Sequence, residues 1–365
     1  MRKLTVLFLI WFVAACGSSG SATGGAGGHL GTGGTGGSGG TGGAGGSGGA
    51  GGTGGTGGTG GSGGATGSWM QVSSGTNGDL YGIWGSASND FYIVGETLGG
   101  GSGLILHGSS DSWAQSTSSF PLFGVSGKGS AEAFAVGSLG MEASVTQWNG
   151  TGWADRGVVG GGTLQGAWVD MSGSEVYVVG SNGSQGTILH SINGGATWTT
   201  ATRTDTSALL SVWGSSVDDV YTVGNGTAIL HSTDRGSTWT RTTGLTLSIA
   251  LRGVWGSSAD DVYAVGGTGG SSAVLHTTNR GTSWTVTPAG TFGGGFNLND
   301  ISGTSASDVY VVGPDGRIFH STGADVWTAE NSPTTQELLG VWGIPGGDVY
   351  AVGRSGTILH KASGR

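Results

Sequence analysis

A unit of about 40 residues recurs from Leu80 to the C-terminus, and no other property of the chain restricts its fold so tightly. The clearest copy spans residues 251–287 and reads LRGVWGSSADDVYAVGGTGGSSAVLHTTNRGTSWTVT. It holds four short apolar runs, LRGVWG, DVYAVG, AVLH and SWTVT, separated by clusters of Gly, Ser, Asn and Asp. Runs rich in β-branched and aromatic residues, bounded by turn formers, predict strands. The units open at Leu80, Leu122, Leu164, Leu209, Leu251, Leu298 and Leu338, with spacings of 42, 42, 45, 42, 47 and 40 residues.

These periods fall in the range of propeller blades, each a sheet of four strands. The second strand recurs as NDFYIVG, EAFAVG, EVYVVG, DVYTVG, DVYAVG, DVYVVG and DVYAVG. The third ends in His107, His190, His231, His276, His320 and His360, with Trp148 assigned to that place in the second unit. Trp113, Trp153, Trp198, Trp239, Trp284 and Trp327 mark the fourth. The seventh unit stops at Arg365 without a fourth-strand Trp, while the stretch SWMQVSS, carrying Trp69, stands unpaired ahead of the first. Seven complete blades result only if residues 68–74 complete the last one, and such closure removes the edges an open array would present. The expected fold is therefore all-β, a seven-bladed β-propeller over residues 68–365, closed by N-terminal strand pairing. The repeat also places every Trp outside the first 15 residues; five end first strands (Trp84, Trp168, Trp213, Trp255 and Trp342). Packing between blades accounts for all of them.

Ahead of the repeats, Met1, Arg2 and Lys3 precede an apolar run from Leu4 to Val13, then Ala14, Ala15 and Cys16. A positive start, a short apolar segment and small residues describe a secretory signal over residues 1–15, too short for an ordinary spanning helix. Residues 17–67 carry 30 of the 85 glycines, mostly in Gly-Gly-Thr, Gly-Gly-Ser and Gly-Gly-Ala triplets. A segment that buries nothing cannot offset its ordering entropy, so residues 16–67 are expected to act as a flexible tether. A coil of about 50 such residues has a root-mean-square reach of roughly 40 Å. Cys16 is the sole cysteine, so the exported fold has no internal disulfide and must stand on packing.

Val13-Ala14-Ala15-Cys16 resembles the lipobox of bacterial lipoproteins. That resemblance implies cleavage before Cys16, lipidation of Cys16, and attachment to a membrane in the cell envelope, with the outer membrane as the expected address. More than one acyl chain makes such anchoring stable. The segments SINGGATW (191–198), STDRGSTW (232–239) and TTNRGTSW (277–284) resemble the Asp-box, or BNR repeat. The motif is a turn: Asn193, Asp234 and Asn279 are expected to cap backbone amides, Gly195, Gly236 and Gly281 to adopt positive φ, and Trp198, Trp239 and Trp284 to anchor the next strand. Such boxes occur in sialidases, other glycoside hydrolases, sortilin-like receptors and photosystem-assembly propellers, so they argue fold and leave function open. The blade consensus LxGVWGSSxxDVYAVG…ILHS resembles repeat lipoproteins of Gram-negative bacteria.

Composition narrows the partners. Without Arg2 and Lys3, eleven basic residues face 22 acidic ones and no basic stripe is visible, so nucleic acid is not an expected partner. The repeated His suggests a metal site, but equivalent third-strand positions in neighbouring blades lie too far apart for bonds of about 2.1 Å to one ion. A structural His bonded within its own blade is the expectation, as is turn capping by Asp90, Asp219, Asp261, Asp308 and Asp348. No nucleophile elbow, P-loop or HExxH motif is present, and the arginines do not form the sialidase triad. No catalytic residue, metal or cofactor is assigned.

One departure from the repeat bears on binding. Where most first strands read Leu-x-Gly, the sixth reads Leu298-Asn299-Asp300, while Arg252 and Gln165 occupy the variable position in the fifth and third. Inner strands line the channel, so Gln165, Arg252, Asn299 and Asp300 are candidate ligand contacts at its mouth, with an Arg252–Asp300 pair between blades as the structural alternative. The segments near Phe120, Arg203, Phe292 and Glu330 vary in length and composition, as recognition loops do. The functional expectation is a membrane-anchored, non-catalytic binding or scaffold propeller with a protein or glycan ligand. The alternatives are an Asp-box glycoside hydrolase and an assembly factor for an envelope complex.

Overall fold

A computed structural model describes residues 67–109, 112–203, 207–287 and 290–363. The expected signal, Cys16 and most of the Gly-rich segment lie outside the described residues.

The repeat folds as its strand pattern requires. The described residues form seven antiparallel sheets of four strands, each running in chain order from inner to outer strand except the last. The inner strands are Leu80–Ala87, Leu122–Gly129, Thr163–Val169, Leu209–Ser216, Ala250–Gly256, Asp300–Ser305 and Leu338–Gly343. The seventh sheet takes its outer strand from the other end of the chain. Trp69–Val72 pairs antiparallel with Ile358–Lys361, in register Trp69 to Lys361 and Val72 to Ile358. The ring is closed.

The core lies between blades. Second strands such as Asp219–Gly224 and Val349–Gly353 are buried at every position, because both faces meet a neighbouring sheet. That is why they read as continuous apolar runs and not as an alternation. Each of the seven apolar clusters joins residues of adjacent blades; Phe91 and Ile93 of blade one, for instance, pack with Tyr350 and Val352 of blade seven. The opening Leu of every unit is fully buried. First-strand tryptophans reach the following blade: Trp84 lies against Gly127, Trp168 against Gly214 and Trp342 against Gly85. Fourth-strand tryptophans reach back, so Trp239, Trp284 and Trp327 meet Tyr177, Tyr221 and Tyr263 at near-perpendicular angles.

Each third-strand His bonds within its own blade, to the acid that opens the second strand: His107 to Asp90 at 2.9 Å, His231 to Asp219 at 2.7 Å, His360 to Asp348 at 3.0 Å. In blade three Glu175 takes that role with His190. The imidazole also stacks flat on the second-strand Tyr, as His231 does on Tyr221 with centroids 3.9 Å apart. The acids therefore do more than cap turns, since one carboxylate ties the first-strand turn, through hydroxyls such as Ser86 and Ser215, to the third strand. One assignment is corrected. Pairing sets Phe134 opposite Gln147, so Gln147 and not Trp148 holds the His position of blade two. Gln147 donates to Glu132 at 2.9 Å and accepts from Arg156 at 2.7 Å, which supplies the polar link the missing imidazole would make.

The three Asp-box segments form turns joined to outer strands of only two residues, Thr199–Thr200, Thr240–Arg241 and Thr285–Val286. Each tryptophan precedes its strand and is not part of it. The Asn193, Asp234 and Asn279 side chains accept the amide four residues on, from Thr197, Thr238 and Ser283, at 2.8–2.9 Å. Gly195, Gly236 and Gly281 have φ of +77°, +72° and +70°.

Candidate functional site

Strand direction sorts the ring into two faces. Inner strands end, and Asp-box turns begin, on one face; inner strands start on the other. At that second face the channel opens into a cavity of about 290 Å³ lined by residues from all seven inner strands.

Its wall is built from the Leu-x-Gly triplet. The Leu is buried, and the Gly sits where neighbouring inner strands nearly touch. A Cβ at Gly124 would stand 2.6 Å from the Gln165 carbonyl oxygen, and one at Gly340 would stand 2.9 Å from that of Tyr81. The x residue varies most, while the Gly place is held in five blades and taken by Ser211 and Asp300 in the other two. The seven x positions are Tyr81, Phe123, Gln165, Leu210, Arg252, Asn299 and Leu339, and all of them line the cavity together with Asp300. The four candidates from the sequence thus meet at one mouth. Tyr81, Phe123, Leu210 and Leu339 went unnoticed, although they hold the same register position and could have been found by it.

The polar members differ in freedom. Asn299 donates to Glu337 at 3.0 Å and to the Leu338 carbonyl at 2.8 Å, fastening blade six to blade seven. Asp300 stands where five blades have glycine and blade four has Ser211, and its carboxylate accepts the Val341 amide at 2.9 Å while lying against Gly253 of blade five. Burial raises its pKa and the Val341 and Ile301 amides oppose the rise, leaving it at about 7. Arg252 is exposed, and no ion pair joins it to Asp300 among the described residues. The alternative of an inter-blade Arg252–Asp300 staple is therefore not realised: Asp300 turns instead to the backbone of blade seven. Tyr81 donates to Glu96 at 2.6 Å, and its ring meets Phe123 at 5.4 Å. Four of the seven x positions, Tyr81, Phe123, Leu210 and Leu339, thus give the wall an apolar and aromatic share.

The variable inter-blade segments are partly structural. Phe120 and Phe292 are buried in the core. Glu330 binds Trp69, Lys361 and His320, fastening the outer strand of blade six to the closing blade.

Seven four-stranded sheets, a closed ring and turn motifs of the BNR type define this protein as a BNR-repeat β-propeller. Residues 167–364 match the family model described as Photosynthesis system II assembly factor YCF48, and the chain belongs to that family. Among solved structures it resembles "YCF48 bound to D1 peptide" at 14% identity and a TM-score of 0.62, covering 81% of this chain and 97% of that one. It also resembles YCF48 from Cyanidioschyzon merolae, at 16% identity and a TM-score of 0.61, covering 80% and 98%. A GH74 xyloglucanase from Xanthomonas campestris matches at 14% identity and a TM-score of 0.62, covering 81% of this chain and 54% of that one. No match to a curated protein was found.

Proposed function

We propose that this propeller is a non-catalytic binding module that holds a polypeptide segment of a partner, as an assembly factor or scaffold for a protein complex in the cell envelope. The observation that carries the reading is the circle of seven x residues. It mixes four apolar or aromatic side chains with two amides and a guanidinium that has no ion pair among the described residues, and the Asp300 carboxyl joins them around a cavity of about 290 Å³. Apolar walls with a few convergent polar groups suit a side chain and its flanking backbone. Membership in a family whose solved relatives include a peptide-bound propeller supports a protein ligand over a glycan at this mouth. Asp300 is the single carboxylate of the lining, whereas the usual glycosidase mechanism needs two, about 5–10 Å apart. A lipid on Cys16 and a tether through residue 67 would present the ring at a membrane surface.

A photo-crosslinking residue at position 252 or 339 of the full chain tests the proposal in envelope preparations. The expected product is an adduct with an envelope protein that disappears when the crosslinker is moved to the outer surface at Val158. Adducts at all three positions alike, or glycan hydrolysis by the purified chain, would overturn it. Mass spectrometry of the mature N-terminus tests the anchor: an unmodified Cys16 or cleavage elsewhere removes that part.

A further inference from the structure

The opposite end of the channel has its own cavity, of about 550 Å³, on the face that carries the Asp-box turns. Five half-buried indoles, Trp84, Trp168, Trp213, Trp255 and Trp342, surround it at equivalent positions of blades one, three, four, five and seven. The remaining two blades put Ser126 and Ser302 at the same register. Both serines line the cavity, with exposures of 6% and 4%. Each hydroxyl oxygen accepts an amide from the next blade, Val169 for Ser126 at 3.2 Å and Gly343 for Ser302 at 3.3 Å. Neither hydroxyl proton has an acceptor among the described residues. A hydroxyl carries one donor besides its acceptor sites, so each of these buried serines keeps a donor for whatever fills the cavity.

The charge of the lining is as specific as its shape. Lys128 is its one charged residue, and its ammonium is already paired with Glu132 at 2.7 Å and with the Ser172 carbonyl at 2.9 Å. A charged ligand would find no free counter-charge. A neutral one with an apolar face and acceptor oxygens at its edge would satisfy every group present. The volume lies within the range of small-molecule pockets, roughly 300–1,000 Å³. Indoles offer large rigid faces that cost little conformational entropy to use.

We infer that this wide mouth is a saccharide-binding site: pyranose rings lay their C–H faces on the indole collar, and ring or hydroxyl oxygens accept from Ser126 and Ser302. The site lies at the other end of the same channel, meeting the polypeptide mouth at a waist of Val125, Ala167 and Val212, and the reading does not depend on that mouth's ligand. Its ligand is neutral, which excludes sialic and uronic acids.

The test titrates the full chain with cellohexaose, maltohexaose and chitohexaose, following intrinsic Trp fluorescence and saturation-transfer NMR, with decaproline as the rival stacking ligand. At least one hexasaccharide gives a saturable response. Ser302→Ala weakens it about three- to tenfold, the worth of one hydrogen bond. Trp255→Phe weakens it by a similar factor through the smaller ring. Should either variant lose its thermal unfolding transition, Ser126→Ala carries the same expectation. No response from any hexasaccharide at about 10 mM, a response to decaproline alone, or affinity unchanged in the folded variants would each overturn the site. Crosslinking from position 252 is read in parallel, so that failure at one mouth is told apart from failure at the other.

Discussion

Replacing Trp69 by Ala tests whether the ring is held shut by its N-terminal strand. Trp69 is 6% exposed, packs edge-on against Tyr310 at 5.9 Å, and donates its indole N–H to Glu330 at 2.6 Å. Losing a buried Trp side chain costs about 3–5 kcal/mol, and the charged hydrogen bond brings the sum to about 4–6 kcal/mol. Trp113, at the equivalent place in blade one, is half-buried and its indole N–H has no partner among the described residues, so Trp113→Ala is expected to cost only about 2–3 kcal/mol. At roughly 2 °C per kcal/mol for a body of this size, the two variants separate by about 4–6 °C in Tm. Topology predicts a second difference. Trp113 belongs to a strand tied to its neighbour by a hairpin, whereas Trp69–Val72 meets Ile358–Lys361 from the far end of the chain. Hydrogen exchange in Trp69→Ala should therefore quicken first at residues 349–361, before global unfolding. Equal Tm shifts for the two variants, or undiminished protection at residues 358–361, would refute the account of closure.

The same junction sets a pH window. Burial alone would raise Glu330, but bonds from His320, Lys361 and Trp69 win and hold it at about 2. Burial alone would lower His320, but Asp308 and Glu330 raise it to about 9. The Glu330 contribution is therefore lost as pH falls from about 4.5 to about 2, and that of His320 as pH rises from about 6.5 to about 9. Protection at residues 358–361 should peak between these ranges; a monotonic dependence from pH 3 to 9 contradicts the assignment. Asp300 works the other way from Glu330. Its folded pKa of about 7 exceeds the unfolded 3.8, so its contribution is complete below pH 4 and lost towards pH 7. Asp300→Asn should gain on the wild type by on the order of 4 kcal/mol in unfolding free energy from urea titrations between pH 4 and 8, and a constant difference would count against the buried acid. In the Asp-box turns, a Cβ would approach the neighbouring ring to 2.7 Å at Gly195, 2.9 Å at Gly236 and 3.2 Å at Gly281. Alanine there should cost about 1–3 kcal/mol in that order of severity, against about 1 kcal/mol at Gly226, where φ is also positive but nothing stands within 4 Å. Thermal unfolding of the four variants checks the order.

How much of this was readable in the chain varies with the range of the interaction. The strand runs, their turns and the count of seven were legible, because each depends on residues within one repeat. The Leu-x-Gly triplet even pointed to the mouth, and its one acidic exception was visible. The circle of x residues was only half seen, since Tyr81, Phe123, Leu210 and Leu339 are ordinary strand formers that gain meaning by convergence. Gln147 was missed for a related reason. Blade two lacks the His, and spacing alone offered Trp148, one residue away, while pairing with Phe134 picks the other.

The linear order of residues was sufficient for the strand count, the blade number and the segment that must complete the last sheet. These follow from local propensity and from arithmetic on a period. Only the folded ring decided what crosses from blade to blade. There Asp300 chose the Val341 amide over Arg252, each first-strand indole found the glycine of the following sheet, and Ser126 and Ser302 kept unspent donors at the wide mouth. The reason is physical. A strand buried on both faces presents apolar residues to either side, so its pattern does not record which neighbour each side chain meets, and that choice is made by packing between residues some forty positions or more apart.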